Sequence, residues 1–173
     1  ISSTNGKRRF DVFSFNSNLA LSEDQHPYLP VMTPCTGCYA ALKRAEVKTK
    51  SDVSYRTRIN NIIDMNYRGT VEVTSLLDAL TDPEMIEEIT KHLKLQLGGM
   101  KIACYYGCGQ VRPQEITNAP NTENPLSMEQ LLNAAGAECV DWNFKTECSR
   151  SSNHVFAPRQ HETLPNEFSI TPR

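Results

Sequence analysis

The six cysteines are the residues of this chain best suited to chemistry. Cys35 and Cys38 stand two residues apart within VMTPCTGCYAALKRA, between a short apolar run and a helix-forming run. Two thiols at this spacing can grip one metal, because Gly37 between them lets the backbone fold and turn both sulfurs the same way. The same spacing serves a thiol–disulfide redox pair, in which a helix N-terminus favours the thiolate. Zinc is a third possibility, although no second pair at similar spacing follows. Two ordinary cysteines at a helix start complete the set of readings. Farther along, Cys104 and Cys108 lie four apart across the end of an apolar run. Alternation assigns Cys104 to a core face as a small hydrophobe, whereas Cys108 follows Gly107 in a loop and is the better ligand candidate. Cys139 sits within Ala137 to Trp142 and reads as core, and Cys148 lies in the loop beyond. The histidines His26, His92, His154 and His161 are scattered; His154, near Cys148, is the one that could join a metal site.

Short apolar runs alternate with helix-like segments, and their ends place these thiols. Residues 1–30 are weakly patterned. Phe10 to Phe15 permits one short irregular strand at most, and Asn16 to Pro30 reads as loop. Leu29 to Met32 is a short buried strand that stops at Pro34, and a helix follows from Cys38 to about Lys48. Ser51 or Asp52 caps a second helix carrying Val53, Tyr55, Ile59, Ile62 and Ile63, which Gly69 stops. Thr70 to Val73 is a strand, followed by a helical run from Leu76 to Leu80. Asp82-Pro83-Glu84 opens a further helix, with a capping carboxylate, proline at the first helical position and acid against the positive end of the dipole. Ile86, Ile89 and Leu93 form its inward stripe, and Gly98-Gly99 ends it. Met100 to Tyr106 is a buried strand, Arg112 to Pro125 a loop, Leu126 to Ala135 a helix with Ser127 near its cap and Met128, Leu131 and Leu132 inward, and Ala137 to Trp142 a strand. Residues 154–173 lose all period and read as loosely ordered or leaning on a partner. The order argues an α/β architecture of short, mostly parallel strands alternating with helices, in which ligands gather at strand ends.

The 173 residues fit one domain or slightly more, with 39% hydrophobic and 22% charged residues. The net charge of -2 carries no footprint for nucleic acid or an anionic membrane. No apolar run approaches the roughly 18–20 residues of a membrane span. No export signal is visible at the start, so the reading is a cytoplasmic protein with reduced thiols. The chain opens on Ile1 rather than Met, which reads as a fragment or a trimmed product. Nucleophile-elbow, phosphate-loop and dinucleotide motifs are missing from the sequence.

Several stretches together resemble one family. Cys35-Thr36-Gly37-Cys38-Tyr39-Ala40-Ala41-Leu42-Lys43 resembles the end of a cysteine-rich CCG module. Ile102 to Gly109, then Asn124-Pro125, Met128 and Asp141-Trp142 through Cys148, resembles the start of the next. Two such modules in tandem make the B-type subunit of heterodisulfide reductase and its relatives. The module runs as a lone cysteine, a gap, an adjacent cysteine pair, a second gap and Cys-x-x-Cys, and the interval from Cys108 to Cys148 suits the first gap. Gly69 to Val73 followed by Leu76-Leu77 also resembles the family.

The resemblance implies a division of residues 1–66 as the end of one module, 67–99 as linking strand and helices, and 100–173 as the start of a second module with a loose tail. It implies a non-cubane 4Fe-4S cluster held by cysteines, with Cys35, Cys38, Cys108 and Cys148 as the ligands present. It further implies reduction of a small-thiol disulfide, of the coenzyme M–coenzyme B type in methanogens, with electrons from a partner iron–sulfur subunit. Such a reaction takes two electrons, and clusters pass them singly. The pattern also departs from the family. Residues 1–34 contain no cysteine, Ser149 stands where the second of an adjacent pair is expected, and no later Cys-x-x-Cys follows. The chain thus looks incomplete at both ends. The alternatives are a truncated or degenerate relative that serves as a partner-binding scaffold without a cluster, and a small zinc module using Cys35 and Cys38 with other thiols or His154.

Overall fold

Two pairs of very short parallel strands organise the chain in the computed structural model, which describes residues 3–147, with side chains from Phe13 onward. Helix α1 spans Ser3–Gln25, followed by β1 Val31–Thr33, α2 Thr36–Ser51 and α3 Val53–Ile63. Then come β2 Val73–Ser75, α4 Leu76–Leu80, α5 Pro83–His92 and β3 Lys101–Ile102. The short helices α6 Cys108–Val111 and α7 Gln114–Thr117 precede α8 Ser127–Ala134 and β4 Glu138–Cys139. Strand β1 pairs with β2 with Val31 opposite Val73, and β3 pairs with β4 with Ile102 opposite Cys139. Both pairs are parallel, so each needs a crossover, and α2 with α3 supplies the first. The expected α/β architecture of short parallel strands is therefore present.

Helix α2 buries Tyr39, Leu42 and Ala45 at helical spacing against Leu19, Tyr67, Val71 and Val73. A second apolar cluster gathers Cys104, Tyr106 and Val111, with Met128, Leu132 and Cys139 packed on it. The Tyr39 hydroxyl donates to Thr117 O at 3.3 Å and ties α2 to α7, beside the second cluster. Asp52 ends α2 and caps α3, its Oδ1 accepting the Tyr55 amide at 2.8 Å. Asp82 caps α5 as the sequence indicates.

The expectation for residues 1–30 is overturned: α1 is a long helix where the local pattern indicates a strand and a loop. Its inward face is Asn16, Leu19, Ala20 and Glu23, which has helical spacing but polar ends. Tertiary partners make those polar positions stable. Asn16 Oδ1 accepts from Thr49 Oγ1 at 3.0 Å, and its Nδ2 donates to the Tyr55 hydroxyl at 3.2 Å. Glu23 accepts the backbone amides of Arg68 and Thr70, both at 2.7 Å, and the Thr70 hydroxyl at 2.6 Å.

Other boundaries shift for similar reasons. Helix α3 ends at Ile63 rather than at Gly69, because Asp64 adopts the left-handed conformation with φ of 52°. The strand expected over Met100 to Tyr106 is paired only at Lys101–Ile102. Beyond it, Cys104 O accepts from the Trp142 indole at 2.7 Å, and the Tyr106 amide donates to Lys145 O at 2.7 Å, so side chain and loop replace a ladder. Cys104 and Tyr106 nevertheless point inward, while Met100 is exposed. The strand expected over Ala137 to Trp142 contracts to Glu138–Cys139, and α7 interrupts the loop expected over Arg112 to Pro125. Helix α8 is flanked by Leu126 with no side-chain cap, and its most buried residue is Glu129. The stripe Ile86, Ile89 and Leu93 is only half-buried. The reading of residues 154–173 falls outside the described residues.

Burial alone would raise the Glu23 carboxyl, but the hydrogen bonds from Thr70 and Arg68 outweigh it and hold the group below its ordinary value. A depressed folded-state value means stabilisation that is complete above the unfolded value and lost as pH falls through the folded one. Glu23→Gln is expected to cost about 1–3 kcal/mol near neutral pH, measured by urea unfolding. The gap from the unsubstituted protein should close in acid; an equal gap at about pH 7 and about pH 3 would contradict this account.

Candidate metal centre

Cys35 follows β1 and occupies the N-cap of α2 in an extended conformation, with φ of -92° and ψ of 117°. Its amide donates to Thr33 Oγ1 at 3.3 Å, which fixes the turn off the strand. Its Sγ accepts the Cys38 amide at 3.4 Å, so sulfur fills the place usually taken by a serine or aspartate oxygen. Both thiols are exposed. Hydrogen bonds from the Cys38 backbone, the Cys38 side chain and the Gly37 backbone lower the Cys35 thiol below its ordinary value. Cys38 moves the other way, because it donates to Cys35 and lies beside its charge. The N-terminus of α2 adds a favourable dipole for thiolate at Cys35.

Cys108, half-buried, opens α6. The backbone on either side of it rests on the first turn of α2. A Cβ at Gly109 would lie 3.3 Å from Thr36 Cγ2 and 3.4 Å from both Ala40 Cβ and Thr36 O. One at Gly107 would lie 3.5 Å from Thr36 Cγ2. Thr36 is the residue between Cys35 and Gly37, so the approach of glycine backbone sets Cys108 beside the Cys35–Cys38 turn. On the far side of α6, Gln110 Nε2 donates to Ser75 Oγ at 2.7 Å, and Ser75 caps α4 at the end of β2. The ends of both paired strands β1 and β2 thus converge on α6.

Cys148 lies outside the described residues. The approach to it is fixed, however: the Tyr105 hydroxyl donates to Glu147 O at 2.6 Å, alongside the Tyr106–Lys145 backbone bond. Residue 147 is therefore tied to the segment that leads into Cys108.

The remaining thiols are in different surroundings. Burial, then the Glu129 carboxylate and Cys139, push the Cys104 thiol up to about 12. Cys139 Sγ faces Glu129 O at 3.9 Å. His92 is exposed and bonded within α5, and His154 lies outside the described residues. Gly107, Gly109 and Ser75 carry the architecture of this region, and sequence spacing alone does not point to them.

Among the described residues, no group of three or more His, Cys, Asp and Glu side chains is arranged to hold a metal ion. Thiolates are the donors a thiophilic metal prefers, and Cys35, Cys38 and Cys108 stand on the packed helix starts of α2 and α6. Among the described residues, no helix is long and apolar enough to cross a membrane.

No protein-family model matches the chain. It is 37% identical over 134 residues to the 8-methylmenaquinol:fumarate reductase membrane anchor subunit of Wolinella succinogenes, covering 76% of this chain and 45% of that protein. It is 30% identical over 150 residues to the B-type subunit of the ferredoxin:CoB-CoM heterodisulfide reductase of Methanosarcina mazei, covering 85% of this chain and 49% of that protein. A protein of Archaeoglobus profundus, named as similar to the same B-type subunit, is 28% identical over 138 residues. The chain spans about half the length of these curated relatives.

Two outcomes are expected for the reduced, metal-free chain. Timed alkylation with iodoacetamide near neutral pH should label Cys35 fastest and Cys104 slowest by peptide mass spectrometry; Cys104 labelling as fast as Cys35 would refute the assigned environments. Dibromobimane should bridge Cys108 to Cys35 or Cys38, and Gly109→Val should lower that yield by forcing α6 off α2. An unchanged yield would show that the glycine contact does not hold the two segments together.

Proposed function

We propose that this relative of the B-type subunit of heterodisulfide reductase is an iron–sulfur redox protein that takes part in reducing a small-thiol disulfide. The coenzyme M–coenzyme B type or another small-thiol disulfide is the substrate class, and a partner iron–sulfur subunit is the electron donor. Cys35, Cys38, Cys108 and Cys148 are the proposed metal ligands, contributed by the end of one cysteine-rich module (1–66) and the start of a second (100–173), joined by 67–99. The observation that supports this reading is the close approach of the Gly107–Gly109 backbone to Thr36, the residue that follows Cys35.

When bound, a 4Fe-4S cluster of the non-cubane type would supply single-electron transfer to a reaction that needs two electrons. The chain's own residues prepare for it. The Cys38 amide and the α2 N-terminus favour Cys35 as thiolate, the form that ligates metal. The exposure of both thiols leaves them open to a metal, to a second polypeptide or to substrate. Exposed thiols persist as ligands in a reducing compartment, which supports a cytoplasmic setting.

One observation favours a second reading. The described residues contain no three-donor group, as a scaffold would that docks an electron-transfer partner without holding a cluster. The experiment that separates the two is metal and acid-labile sulfide analysis of protein prepared without oxygen. The redox reading expects brown protein with iron and sulfide near about four each per occupied site, and loss of most of both in Cys35→Ser. Colourless protein without iron would favour the scaffold, and zinc near about one per chain without iron would favour a zinc module.

A further inference from the structure

A buried ion pair stands beside the two segments that lead into the proposed ligands Cys108 and Cys148. Glu129 on α8 and Lys145 in the loop after β4 are 8% and 6% exposed, and Tyr106, bonded to both, is 1% exposed. Both oxygens of the Glu129 carboxylate are engaged. Oε2 accepts from the Tyr106 hydroxyl at 2.5 Å, and Oε1 lies 2.7 Å from Lys145 Nζ. The same hydroxyl accepts the Met128 amide at 2.7 Å, and Lys145 Nζ donates to Asn124 Oδ1 at 2.8 Å. Burial alone would raise the Glu129 carboxyl, but the bonds from Lys145 and Tyr106 outweigh it and hold the group below its ordinary value.

Stability alone does not call for this network. A buried ion pair adds little over an apolar contact of the same size, because desolvation offsets the attraction. What it adds is geometry, since a carboxylate with two directional donors suits one arrangement of its neighbours. Those neighbours precede proposed ligands: Tyr106 stands two residues before Cys108, and Lys145 three before Cys148. The Tyr106 amide also donates to Lys145 O at 2.7 Å. A single backbone hydrogen bond is a hinge between two segments. The link from Tyr106 through Glu129 to Lys145 closes a ring with that bond and opposes rotation about it. The bond from the Tyr105 hydroxyl to Glu147 O is exposed to water. The Glu129 link is enclosed, where screening is weak.

We infer that Glu129 is a positioning residue for the candidate metal centre: through Tyr106 and Lys145 it sets the separation of the segments that lead into Cys108 and Cys148. What the two thiols do rests on the redox function proposed above; what Glu129 does to their segments rests on the bonds alone.

The test uses the full chain, reduced and free of metal, with Cys35→Ser and Cys38→Ser in every sample so that Cys108 is not bridged to that pair. Dibromobimane bridging of Cys108 to Cys148 is quantified by peptide mass spectrometry, under conditions where circular dichroism shows each variant folded. Urea midpoints are measured in parallel. Lys145→Met alone should lower the midpoint, because it leaves a buried carboxylate without its cation. Glu129→Gln with Lys145→Met removes both charges and should regain most of that loss. Its bridging yield should nonetheless stay about threefold or more below that of the parent chain. Glu129→Asp keeps the charge but withdraws it by one methylene, and should lower the yield as well. A yield equal to the parent's in either variant would overturn the inference, as would the absence of a Cys108–Cys148 bridge in the parent. Iron and sulfide content of the chain with every cysteine intact is read separately. Lowered yields in a chain that takes up no iron leave the role of Glu129 standing and remove its link to a cluster, while iron uptake with unchanged yields removes the role of Glu129 alone.

Discussion

The close approach of the Gly107–Gly109 backbone to Thr36 is the contact on which the candidate site depends. A main chain can come this near a helix's first turn only where no side chain intervenes, and Gly109 would bring a Cβ to 3.3 Å of Thr36 Cγ2. That distance is tight enough that Thr36 would have to give by a few tenths of an ångström. With glycine at both positions flanking Cys108, the start of α6 lies against the first turn of α2. The Tyr39–Thr117 hydrogen bond and the Gln110–Ser75 hydrogen bond hold the same two segments from either side.

Around this contact the fold relies on buried polar groups more than its modest strands would suggest. Glu46 is buried, yet it bonds Lys43, Lys50 and the Val73 amide, and so joins α2 to β2. Glu23 plays the same part between α1 and residues 68–70. Glu129 binds Lys145 at 2.7 Å and the Tyr106 hydroxyl at 2.5 Å, which draws α8, the Tyr106 segment and the loop before Cys148 together. Each carboxylate is matched by donors, which offsets the desolvation that burial imposes. Strands of two or three residues hold little by themselves; these carboxylates supply much of the cross-bracing.

The five described cysteines divide by environment rather than by residue type. Cys35 and Cys38 are exposed on a helix start with opposite shifts in acidity, while Cys104 is buried beside a carboxylate and pushed up to about 12. A thiol that stays protonated and enclosed is a poor ligand and a poor nucleophile. Of the cysteines that the family resemblance singles out, Cys35 and Cys38 are exposed and Cys108 is half-buried, while Cys148 lies outside the described residues.

Much of this was legible in the sequence. The Cys-x-x-Cys turn, the cap at Ser51 or Asp52, the Asp82 cap, the helix rich in Ala, Leu and Lys after Cys38, and the inward side of Cys104 all depend on near neighbours, so local pattern carries them. Helix α1 was not legible, because Asn16 and Glu23 occupy half of its buried face and only their distant partners make that burial favourable. The strand lengths were not legible either, since Trp142 and Lys145 compete for backbone groups that a ladder would otherwise use. Spacing by itself singled out Cys35 and Cys38 as a pair on one turn. Only the tertiary structure decided that the start of α6 packs on the first turn of α2, because a glycine's fit against Thr36 is a property of two segments far apart in the chain and of neither alone.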